Sequence, residues 1–509
     1  MTPVFNSADM RAMDAEAIAS GIASTDLMDA AAAALAHTLA RALGSLVGKT
    51  VTIFSGAGNN GGDGFALGSI LLYRGCTVRM VYVGEAASPS ADCITMRTRF
   101  EAAGGTVDDF TPDCLSGADA AVDAMFGIGF RGKLTGASAA AAQAINGFSG
   151  FVLAADVPSG VYSDYGGLCD GAVYADATVC FSYPKPSCLL MPAAANCGQI
   201  FVEDIGVPAA VARKYKPVFS MIDHSCLSAL PRRRRSAYKG MHGHALVVSG
   251  SARYCGAPYL ASCAALRAGA GLVSCAVPAS IYPSVAAKMS SAMPCRMPDN
   301  DALGADSLYE LLNLAAQSDA ILIGPGLGRA DDTGILVRDM LSMLNMPVVL
   351  DADGINALSG HIDILSKMPQ APVLTPHDGE FARLIGEKPP SDGRARMMAA
   401  QSAAAKTGSV LVLKGHRSIV AAPDGRAYVN PTGNPGMAKG GTGDVLAGIL
   451  LAFIAQGVPT FEAACAAVWL HGAAGDAAAR RIGEYGMTPD NLLDELPAFL
   501  KSRDSIRYF

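Results

Sequence analysis

The sequence predicts an α/β protein with two three-layer αβα domains, in each of which helices cover both faces of a largely parallel β-sheet. Three observations favour this fold class. Strand-length apolar runs alternate with helical patterns along most of the 509 residues, as they do in parallel sheets. The length exceeds that of one ordinary domain, which is about 100–200 residues. Pro208, Pro217 and Pro231 interrupt the alternation, so we place the domains at 1–215 and 225–509.

The composition argues against nucleic acid and anionic membranes as partners. The formal net charge is -6, and the basic run at 232–235 is short. Such a run is more often a solvated linker than a phosphate-binding site. The N-terminus lacks the basic and apolar regions of a secretory signal. The apolar run at 445–455 covers about half of the ~20 residues that span a bilayer.

The cysteine pattern is typical of a protein in a reducing compartment. Thirteen cysteines are scattered along the chain, without a C-x-x-C pair and without the Cys/His spacing of a metal site. Cys76, Cys180, Cys263 and Cys275 lie within apolar strand or helix patterns, and we expect them to be small core residues. This usage favours a cytoplasmic location.

The first predicted helix begins near Ser7, which can cap it, and carries Met10, Met13 and Ile18 at helical spacing. An Ala-rich helix follows at 26–43. Strands and helices then alternate, and several strands end in polar or Gly-rich turns. The predicted strands are 50–54, 77–83, 120–126, 151–155, 177–181 and 199–203, and the predicted helices between them include one ending at Arg74, 92–103 and 137–146.

A Gly-rich run, Gly58-Asn-Asn-Gly-Gly-Asp-Gly64, follows the first of these strands. In the order strand, Gly-rich turn, helix, backbone amides can approach a phosphate. The run is neither G-x-G-x-x-G nor a P-loop, because no Lys-Ser/Thr follows it. Asn59, Asn60 and Asp63 add side-chain oxygens, which could bind a hard cation.

Polar residues also follow two further strands of this domain. Asp123 precedes Gly127-Ile-Gly-Phe-Arg-Gly132, and Asp156-Val-Pro-Ser-Gly160 includes Ser159. Ligands bind at the carboxyl edge of open α/β sheets. Taken singly, such residues are mostly turn formers or helix caps. Three clusters at three strand ends indicate a binding site.

The second series of alternating elements begins at Tyr238. Two of its strands end in the turns 324–328 and 351–354, and another places His377 and Glu380 at its end. The signals differ in sequence from those of the first domain, so we predict two different domains rather than a duplication. The predicted strands are 244–249, 271–277, 320–323, 348–350, one beginning at Val373 and 409–413, and the predicted helices include 256–268 and 460–481.

The stretch Asn434-Pro-Gly-Met-Ala-Lys-Gly-Gly-Thr-Gly-Asp444 opens the apolar helix predicted at 445–455. The first N–H groups of a helix have no partner within the helix and lie at the positive end of its dipole. A Gly-rich entry is therefore a site for a phosphate or an oxyanion. Asp444 could accept a proton from a hydroxyl that is being phosphorylated. Alternatively, Asp444 interacts only with the helix dipole.

His377 and Lys414 are weaker candidates. A single histidine is more often a hydrogen-bonded structural residue than a catalyst. A lysine at a strand end is more often exposed than bound to a ligand. Gly415 beside Lys414 permits the close approach of a nucleotide, which favours a functional role for Lys414.

These motifs resemble two known families and together cover nearly the whole chain. The first domain resembles the Rossmann-like NAD(P)H-hydrate epimerases, and the second is similar to the ribokinase-like, ADP-dependent NAD(P)H-hydrate dehydratases. The epimerase-like motifs are 10–14, 26–29, 58–64, Asp123 with 127–132, and 156–160. The dehydratase-like motifs are Lys239-Gly, Gly250-Ser, 267–273, 324–328, Thr375-Pro-His, Leu413-Lys-Gly and 434–444.

The resemblance implies that the first domain interconverts the R and S epimers of hydrated NADH and NADPH, called NADHX and NADPHX. Asp156 would lie near the reacting carbon. The implied substrate-binding residues are Asn59, Asn60, Gly61, Gly62, Asp63, Gly127, Ile128, Gly129, Phe130, Arg131, Gly132, Lys133 and Asp156. The implied ligands of a potassium ion are Asn60, Asp123 and Ser159, and oxygen ligands suit a hard cation.

The resemblance also implies that the second domain dehydrates the S epimer with ADP, which gives AMP, phosphate and NAD(P)H. Asp444 would be the base, and Mg²⁺ would bridge the nucleotide phosphates. The implied substrate-binding residues are Ala257, Gly326, His377 and Asp444. The implied nucleotide-binding residues are Lys414, Gly415, His416, Arg417, Ser418, Gly440, Gly441, Thr442 and Gly443. Asp378 stands where the family usually has proline, which changes charge and turn rigidity beside His377.

An alternative function is a ribokinase-like kinase of a small alcohol or vitamin precursor, with a non-catalytic N-terminal binding or oligomerisation module. Such a module has no need of Asn60, Asp123 and Asp156. We expect NADHX, NADPHX and ADP as small-molecule partners and a homo-oligomeric assembly. The choice of ADP over ATP is implied by the resemblance alone. The preference between NADHX and NADPHX stays open, as does communication between the sites.

Overall fold

A computed structural model describes residues 1–84 and 88–504 and divides the chain into two units. The N-terminal unit comprises Thr2–Met221 together with Ser391–Arg394, and the C-terminal unit comprises the other described residues. The last five residues of the predicted second domain, 505–509, lie outside the described residues.

The N-terminal unit alternates strands and helices over residues 50–109 and 120–155. Its strands are β1 (Thr2–Val4), β2 (Thr50–Ser55), β3 (Thr77–Tyr82), β4 (Val107–Asp109), β5 (Ala120–Ala124), β6 (Phe151–Ala155), β7 (Val161–Tyr162), β8 (Gly167–Leu168), β9 (Ala177–Phe181), β10 (Gln199–Glu203) and β11 (Phe219–Met221). Its helices are α1 (Ser7–Ala19), α2 (Ser24–Leu43), α3 (Asn59–Tyr73), α4 (Ala91–Ala102), α5 (Gly136–Asn146) and α6 (Ala209–Ala212).

The main sheet of this unit has the strand order β10-β9-β6-β5-β2-β3-β4, and its neighbouring strands pair in parallel. Successive residues of a strand point to opposite faces. Val51 and Ile53 of β2 therefore pack with α2, α3 and α4, whereas Phe54 packs with α5 on the other face. Both faces are covered, which confirms the predicted three-layer arrangement.

The C-terminal unit carries the longer series of elements. Its strands are β12 (His244–Val248), β13 (Leu272–Val277), β14 (Met293–Arg296), β15 (Ala320–Ile323), β16 (Val348–Leu350), β17 (Val373–Leu374), β18 (Val410–Leu413), β19 (Ile419–Ala421) and β20 (Ala427–Val429). Its helices are α7 (Ala257–Arg267), α8 (Tyr282–Lys288), α9 (Leu308–Ala315), α10 (Asp331–Met343), α11 (Asp353–Asn356), α12 (Asp378–Ile385), α13 (Gly393–Thr407), α14 (Thr442–Ala455), α15 (Thr460–Ile482) and α16 (Pro489–Leu500).

Within this unit the strand order is β20-β19-β18-β17-β16-β15-β12-β13-β14. The strands from β18 to β14 pair in parallel, and β19 and β20 extend the sheet antiparallel. The apolar run 445–455 forms most of α14 and is buried at every position. It packs with α7 and α15 against one sheet face, so α14 is a central core helix, as its continuous apolar sequence predicts.

The segment between Pro208 and Pro231, where prolines interrupt the alternation, contains α6, β11 and a 3₁₀ helix at His224–Ala229. One sequence expectation is wrong in detail. Helix α3 begins at Asn59 rather than after Gly64, so the Gly-rich run is its first turn and not a loop. The basic run 232–235 is exposed, as expected of a solvated segment. None of the helices in the described part of the chain has the length and hydropathy of a membrane-spanning helix.

Two candidate active sites

The N-terminal unit contains a cavity of about 660 Å³ at the carboxyl ends of its parallel strands. The elements that meet there are α1, α2, the first turns of α3 and the segments after β5, β6 and β9. The predicted substrate-binding residues that line it are Asn59, Asn60, Asp63, Gly127, Ile128, Gly129, Phe130, Arg131, Lys133 and Asp156.

Gly61 and Gly62 have a different place from the one expected, since both are buried inside α3 and neither lines the cavity. A Cβ atom on Gly61 would lie 1.9 Å from the carbonyl oxygen of Gly56. Such an approach is possible only for glycine. These glycines let α3 pack closely, and that packing presents Asn60 and Asp63 to the cavity. Gly132 is also absent from the lining, next to residues that do line it.

Asp123 and Ser159 form a buried hydrogen-bonded pair behind the cavity. Asp123 Oδ1 accepts from Ser159 Oγ at 2.6 Å, and Asp123 Oδ2 accepts from the backbone N–H of Ser159 at 2.7 Å. Burial raises the pKa of Asp123 to about 6, although hydrogen bonds from Ser159 and from the N–H of Met125 oppose the rise.

The side-chain oxygens of Asn60, Asp123 and Ser159 are ligands of the kind that a hard cation takes. The Asn60 side chain lies beside Gly127, where an added Cβ atom would be 3.3 Å from Asn60 Oδ1. One carboxylate with neutral oxygens suits a monovalent hard cation. In the described part of the chain, no group of three or more His, Cys, Asp and Glu side chains could hold a metal.

Asp156 forms an ion pair with Lys185, a residue that the sequence reasoning missed. Lys185 is only 1% exposed, and its Nζ also lies 3.4 Å from the carbonyl oxygen of Phe181. Asp156 itself has a φ of 67°, a left-handed conformation that costs an L-residue about 1–2 kcal/mol. The available signal was a lysine between Pro184 and Pro186, directly after a strand.

Asp14 was likewise missed as a site residue, although it stands in one of the quoted motifs. It lies on α1 and lines the same cavity. Burial raises its pKa to about 6, Lys185 opposes the rise, and Asp156 adds to it. Burial also raises the pKa of Asp63 well above its ordinary value. The cavity thus gathers Asp14, Asp63 and Asp156 around one buried ammonium.

In the C-terminal unit, the first turn of α14 forms the second candidate site. Gly441 is the N-cap, with a φ of 92°, and Asp444 lies in the turn that follows. Burial raises the pKa of Asp444 to about 7, with a further rise from Asp351 and an opposing effect of Lys414. A carboxylate with this pKa can gain and lose a proton near neutral pH.

The side chain of Lys414, at the end of β18, lies between the polar groups at the strand ends and the first turn of α14. Its Nζ lies 2.7 Å from Asp351 Oδ1 and 3.6 Å from Glu380 Oε2. A Cβ atom on Gly443 would be 3.5 Å from the same nitrogen. Burial alone would lower the pKa of Lys414, but the neighbouring carboxylates outweigh burial and raise it. The sequence placed Asp351 and Glu380 at strand ends without assigning them to the site.

His377 serves as the N-cap of α12. Its Nδ1 accepts the backbone N–H of Gly379 at 2.9 Å, and its Nε2 lies 3.2 Å from Glu380 Oε1. The side chain is 54% exposed. The structural role considered for a single histidine is therefore present, and both ring nitrogens have partners within α12. Asp378, in place of the usual proline, forms an ion pair with Arg396 at 2.5 Å.

The other predicted residues occupy three places in this unit. Gly326 and Ala257 are neighbours, since a Cβ atom on Gly326 would lie 3.2 Å from Ala257 Cβ. The segment 414–418 forms the turn from β18 to β19, in which the Arg417 side chain is buried and donates to the carbonyl of Pro431. Gly440, Gly441, Thr442 and Gly443 surround the start of α14.

Partly buried side chains from α15 support the glycine-rich entry to α14. His471 Nε2 lies 2.9 Å from the carbonyl oxygen of Thr442, and burial lowers the pKa of His471 to about 4. Asp476 accepts from the N–H of Gly433 at 3.0 Å and from Asn434 Nδ2 at 2.9 Å. Their sequence neighbourhood is a plain Ala-rich helix, which offers no signal for these contacts.

Comparison with known proteins assigns each unit to a described family. Residues 245–498 match the family model of NAD(P)H-hydrate dehydratase, and residues 24–187 match that of the YjeF-related protein N-terminus. Two relatives are named bifunctional NAD(P)H-hydrate repair enzyme Nnr. The one from Moorella thermoacetica is 39% identical over 90% of this chain and 89% of its own. The one from Salinibacter ruber is 36% identical over 98% of this chain and 96% of its own.

A solved structure supports the fold of the second unit. The ribokinase-like superfamily protein from Enterococcus faecalis is 30% identical and has a TM-score of 0.51, and the match covers 57% of this chain and 99% of that protein. The predicted ribokinase-like fold is confirmed by this likeness.

Proposed function

The chain belongs to the family of bifunctional NAD(P)H-hydrate repair enzymes, and we propose how its two units divide that repair. The N-terminal cavity interconverts the R and S epimers of NADHX and NADPHX. The site at the start of α14 dehydrates the S epimer with ADP and gives AMP, phosphate and NAD(P)H. The observation that carries this division is the presence of two separate clusters of buried acids, each at the carboxyl edge of its own sheet.

In the dehydratase site, Asp444 accepts the proton of the ring hydroxyl while that oxygen attacks the terminal phosphorus of ADP. The Gly440–Gly443 amides and Lys414 stabilise the charge that develops on the phosphoryl group. Hydroxide is a poor leaving group and phosphate is a good one, so phosphorylation permits the elimination that restores the nicotinamide. Ala257, Gly326 and His377 line the hydrated ring, and Lys414–Ser418 with Gly440–Gly443 hold the nucleotide.

The residues of this site also fit the magnesium ion that accompanies a nucleotide. Mg²⁺ usually takes only one or two carboxylates, together with substrate phosphates and water. Asp351 and Glu380 lie within 4 Å of Lys414 Nζ and would supply those carboxylates. When bound, the ion would neutralise phosphate charge.

In the epimerase site, Asp156 lies next to the reacting carbon, and the segments 59–63 and 127–133 hold the dinucleotide. Asn60, Asp123 and Ser159 would hold a potassium ion, whose charge would favour the ionised form of the buried Asp123. Epimerisation that requires potassium and is lost in Asp123→Asn is the expected result. Activity without any dependence on monovalent cations would contradict this ligand set.

The test of the division of labour follows NADH absorbance during incubation of both NADHX epimers with Mg²⁺ and ADP. Wild-type protein should restore NADH fully, and Asp444→Asn should abolish recovery. Asp156→Asn should slow only the part that depends on the R epimer; Asn tolerates the left-handed conformation at this position. Failure to recover NADH with either ADP or ATP would refute the proposal. The comparisons favour repair over the small-alcohol kinase considered above.

The free thiols also fit the cytoplasmic location proposed for this protein. All thirteen cysteines lie within the described residues and are unpaired in disulfides, as is usual in a reducing compartment. We propose a homo-oligomeric assembly, which size-exclusion chromatography with light scattering would test. A mass of one 52.0 kDa chain at all concentrations would contradict it.

A further inference from the structure

Lys185 occupies an unusual place in the N-terminal cavity. It is 1% exposed, forms an ion pair with Asp156 and lines the cavity from the segment after β9. A buried lysine is costly unless a carboxylate compensates its charge. Asp156 compensates it while holding a left-handed backbone conformation with a φ of 67°. Strain of this kind is retained where function requires it.

The buried charges of the cavity do not balance if its buried acids are ionised. Asp63 and Asp156 are buried in the lining together with one buried cation, Lys185. The other cations of the lining are exposed, namely Arg11, Arg131 and Lys133. Asp63 is 8% exposed, and no cation forms an ion pair with it in the described part of the chain. An unpaired buried carboxyl group takes up a proton rather than bear an uncompensated charge.

We propose that Lys185 assigns the acid and base roles of the epimerase, because its ion pair with Asp156 makes that carboxylate the proton acceptor and leaves Asp63, without such a partner, as the donor. This inference rests on the proposed epimerase function and deepens it. Lys185 is a positioning residue, since it acts through Asp156.

Epimerisation of the hydrate needs one proton acceptor and one proton donor. The hydrate forms when the electron-rich double bond of the reduced nicotinamide ring is protonated, because the resulting iminium ion adds water at the carbon next to the ring nitrogen. In the hydrate, Asp156 accepts the hydroxyl proton and the carbon–nitrogen bond breaks. The electron pair goes to nitrogen, and Asp63 donates its proton there. Rotation about a single bond turns the other face of the new aldehyde toward nitrogen, and ring closure reverses both proton transfers.

The electrostatics of the neighbouring groups support these roles. Burial raises the pKa of Asp63 well above its ordinary value, and Asp156 and Asp14 raise it further, against the attraction of Lys185. Burial alone would lower the pKa of Lys185, but the Asp156 carboxylate outweighs burial and raises it. The titratable or charged groups that face Asp156 or line the cavity with it are Asp14 on α1, Asp63 on α3, Lys185, Cys180 on β9, Arg11, Asp92, Arg131 and Lys133.

The experiment measures epimerisation of separated NADHX epimers by the full chain, without ADP so that dehydration does not occur, across a range of pH. Lys185→Met keeps most of the length of the unbranched side chain and removes its charge. Loss of the ammonium removes the charge paired with the Asp156 carboxylate, so the acidic limb of kcat/KM should move to higher pH. Asp63→Asn keeps the shape and cannot donate the proton, so kcat should fall by about 10²-fold or more with little change in KM.

Two outcomes would overturn the inference while leaving the epimerase function intact. One is a Lys185→Met profile with a lower rate and an unmoved acidic limb, as a purely structural role predicts. The other is wild-type kcat in Asp63→Asn. If Lys185→Met does not fold, the kcat of Asp63→Asn tests the inference. Asp63→Asn should fold, because an amide replaces a neutral carboxyl group of the same shape. A wild-type protein that fails to interconvert the epimers would instead refute the proposed function itself.

Discussion

The pKa of Asp444 depends on its surroundings more than on its position in the helix. An exposed aspartate in the first turn of a helix is stabilised as the anion. Here burial and the nearby Asp351 carboxylate favour the protonated form, and Lys414 opposes them only in part. The resulting pKa of about 7 suits a base that must accept a proton and later release it.

The pH dependence of the dehydratase reaction tests the raised pKa of Asp444. Asp444 accepts a proton only when it is ionised, so kcat/KM of the dehydratase should rise with pH through about 7 and then level off. Lys414 lowers the pKa of Asp444, so Lys414→Met should move the rising limb to higher pH besides lowering the rate. Initial rates of NADH formation at saturating ADP would measure both profiles.

The exposed Lys406 on α13 provides a matched control for loss of a lysine. Lys406→Met should leave both the rate and the position of the limb unchanged. A wild-type profile that is flat between pH 6 and 8 would contradict the role of Asp444 as the base.

At the scale of elements, the start of α14 depends on one glycine conformation. Gly441 has a φ of 92°, and a Cβ atom there would lie 2.6 Å from Leu260 Cδ1. Gly440 has no positive φ, and nothing lies within 4 Å of its added Cβ atom. Gly441→Ala should therefore lower the free energy of unfolding by about 1–2 kcal/mol. Gly440→Ala should change it by less than about 0.5 kcal/mol. Equal thermal midpoints of the two variants would contradict this account.

The interior of α14 depends on close packing against α7. A Cβ atom on Gly448 would lie 2.2 Å from the carbonyl oxygen of Ala261, a backbone atom that cannot move away easily. Gly448→Ala should therefore destabilise the protein by about 1–3 kcal/mol through overpacking. Denaturant titration of the full chain would measure the loss.

Gly334 in α10 is the matched control, because its added Cβ atom would meet only a side-chain atom, Nη1 of Arg338 at 3.2 Å, and no backbone atom within 4 Å. Alanine is the better helix former by up to about 1 kcal/mol, so Gly334→Ala should be neutral or stabilising. A stabilising effect of Gly448→Ala would show that α7 and α14 are not held together as closely as described.

At the scale of the whole molecule, each unit has its own sheet, its own hydrophobic core and its own cluster of buried acids. The two reactions are linked chemically, because the S epimer that the first site produces is the substrate of the second. A free epimer can pass between protein molecules as well as within one.

A mixture of two variants tests whether the two sites can act in different protein molecules. Asp444→Asn protein should form no NADH, and Asp156→Asn protein should leave the R epimer to slow spontaneous conversion. An equimolar mixture of the two should restore full recovery from mixed epimers, followed by NADH absorbance. Recovery no better than that of Asp156→Asn alone would mean that both intact sites must be present in one chain.

The sequence alone determined the fold class and part of the cavity lining, for a physical reason. The alternation of strands and helices is local, and the carboxyl ends of parallel strands necessarily meet at one edge. Asn60, Asp63, Asp123, Asp156 and Asp444 all stand in short runs next to predicted strands or helix starts, so their neighbourhood could be inferred without coordinates.

Only the tertiary structure decided what each of these groups does, since charge and burial depend on contacts distant in sequence. Lys185 meets Asp156 across 29 residues, and Lys414 meets Asp351 across 63. The first pair stabilises the anion of Asp156 in the epimerase cavity. The second pair leaves the negative charge of Asp444 only partly compensated in the dehydratase site. No local pattern shows how deeply a side chain is buried, and burial is the first-named cause of the raised pKa of both Asp63 and Asp444.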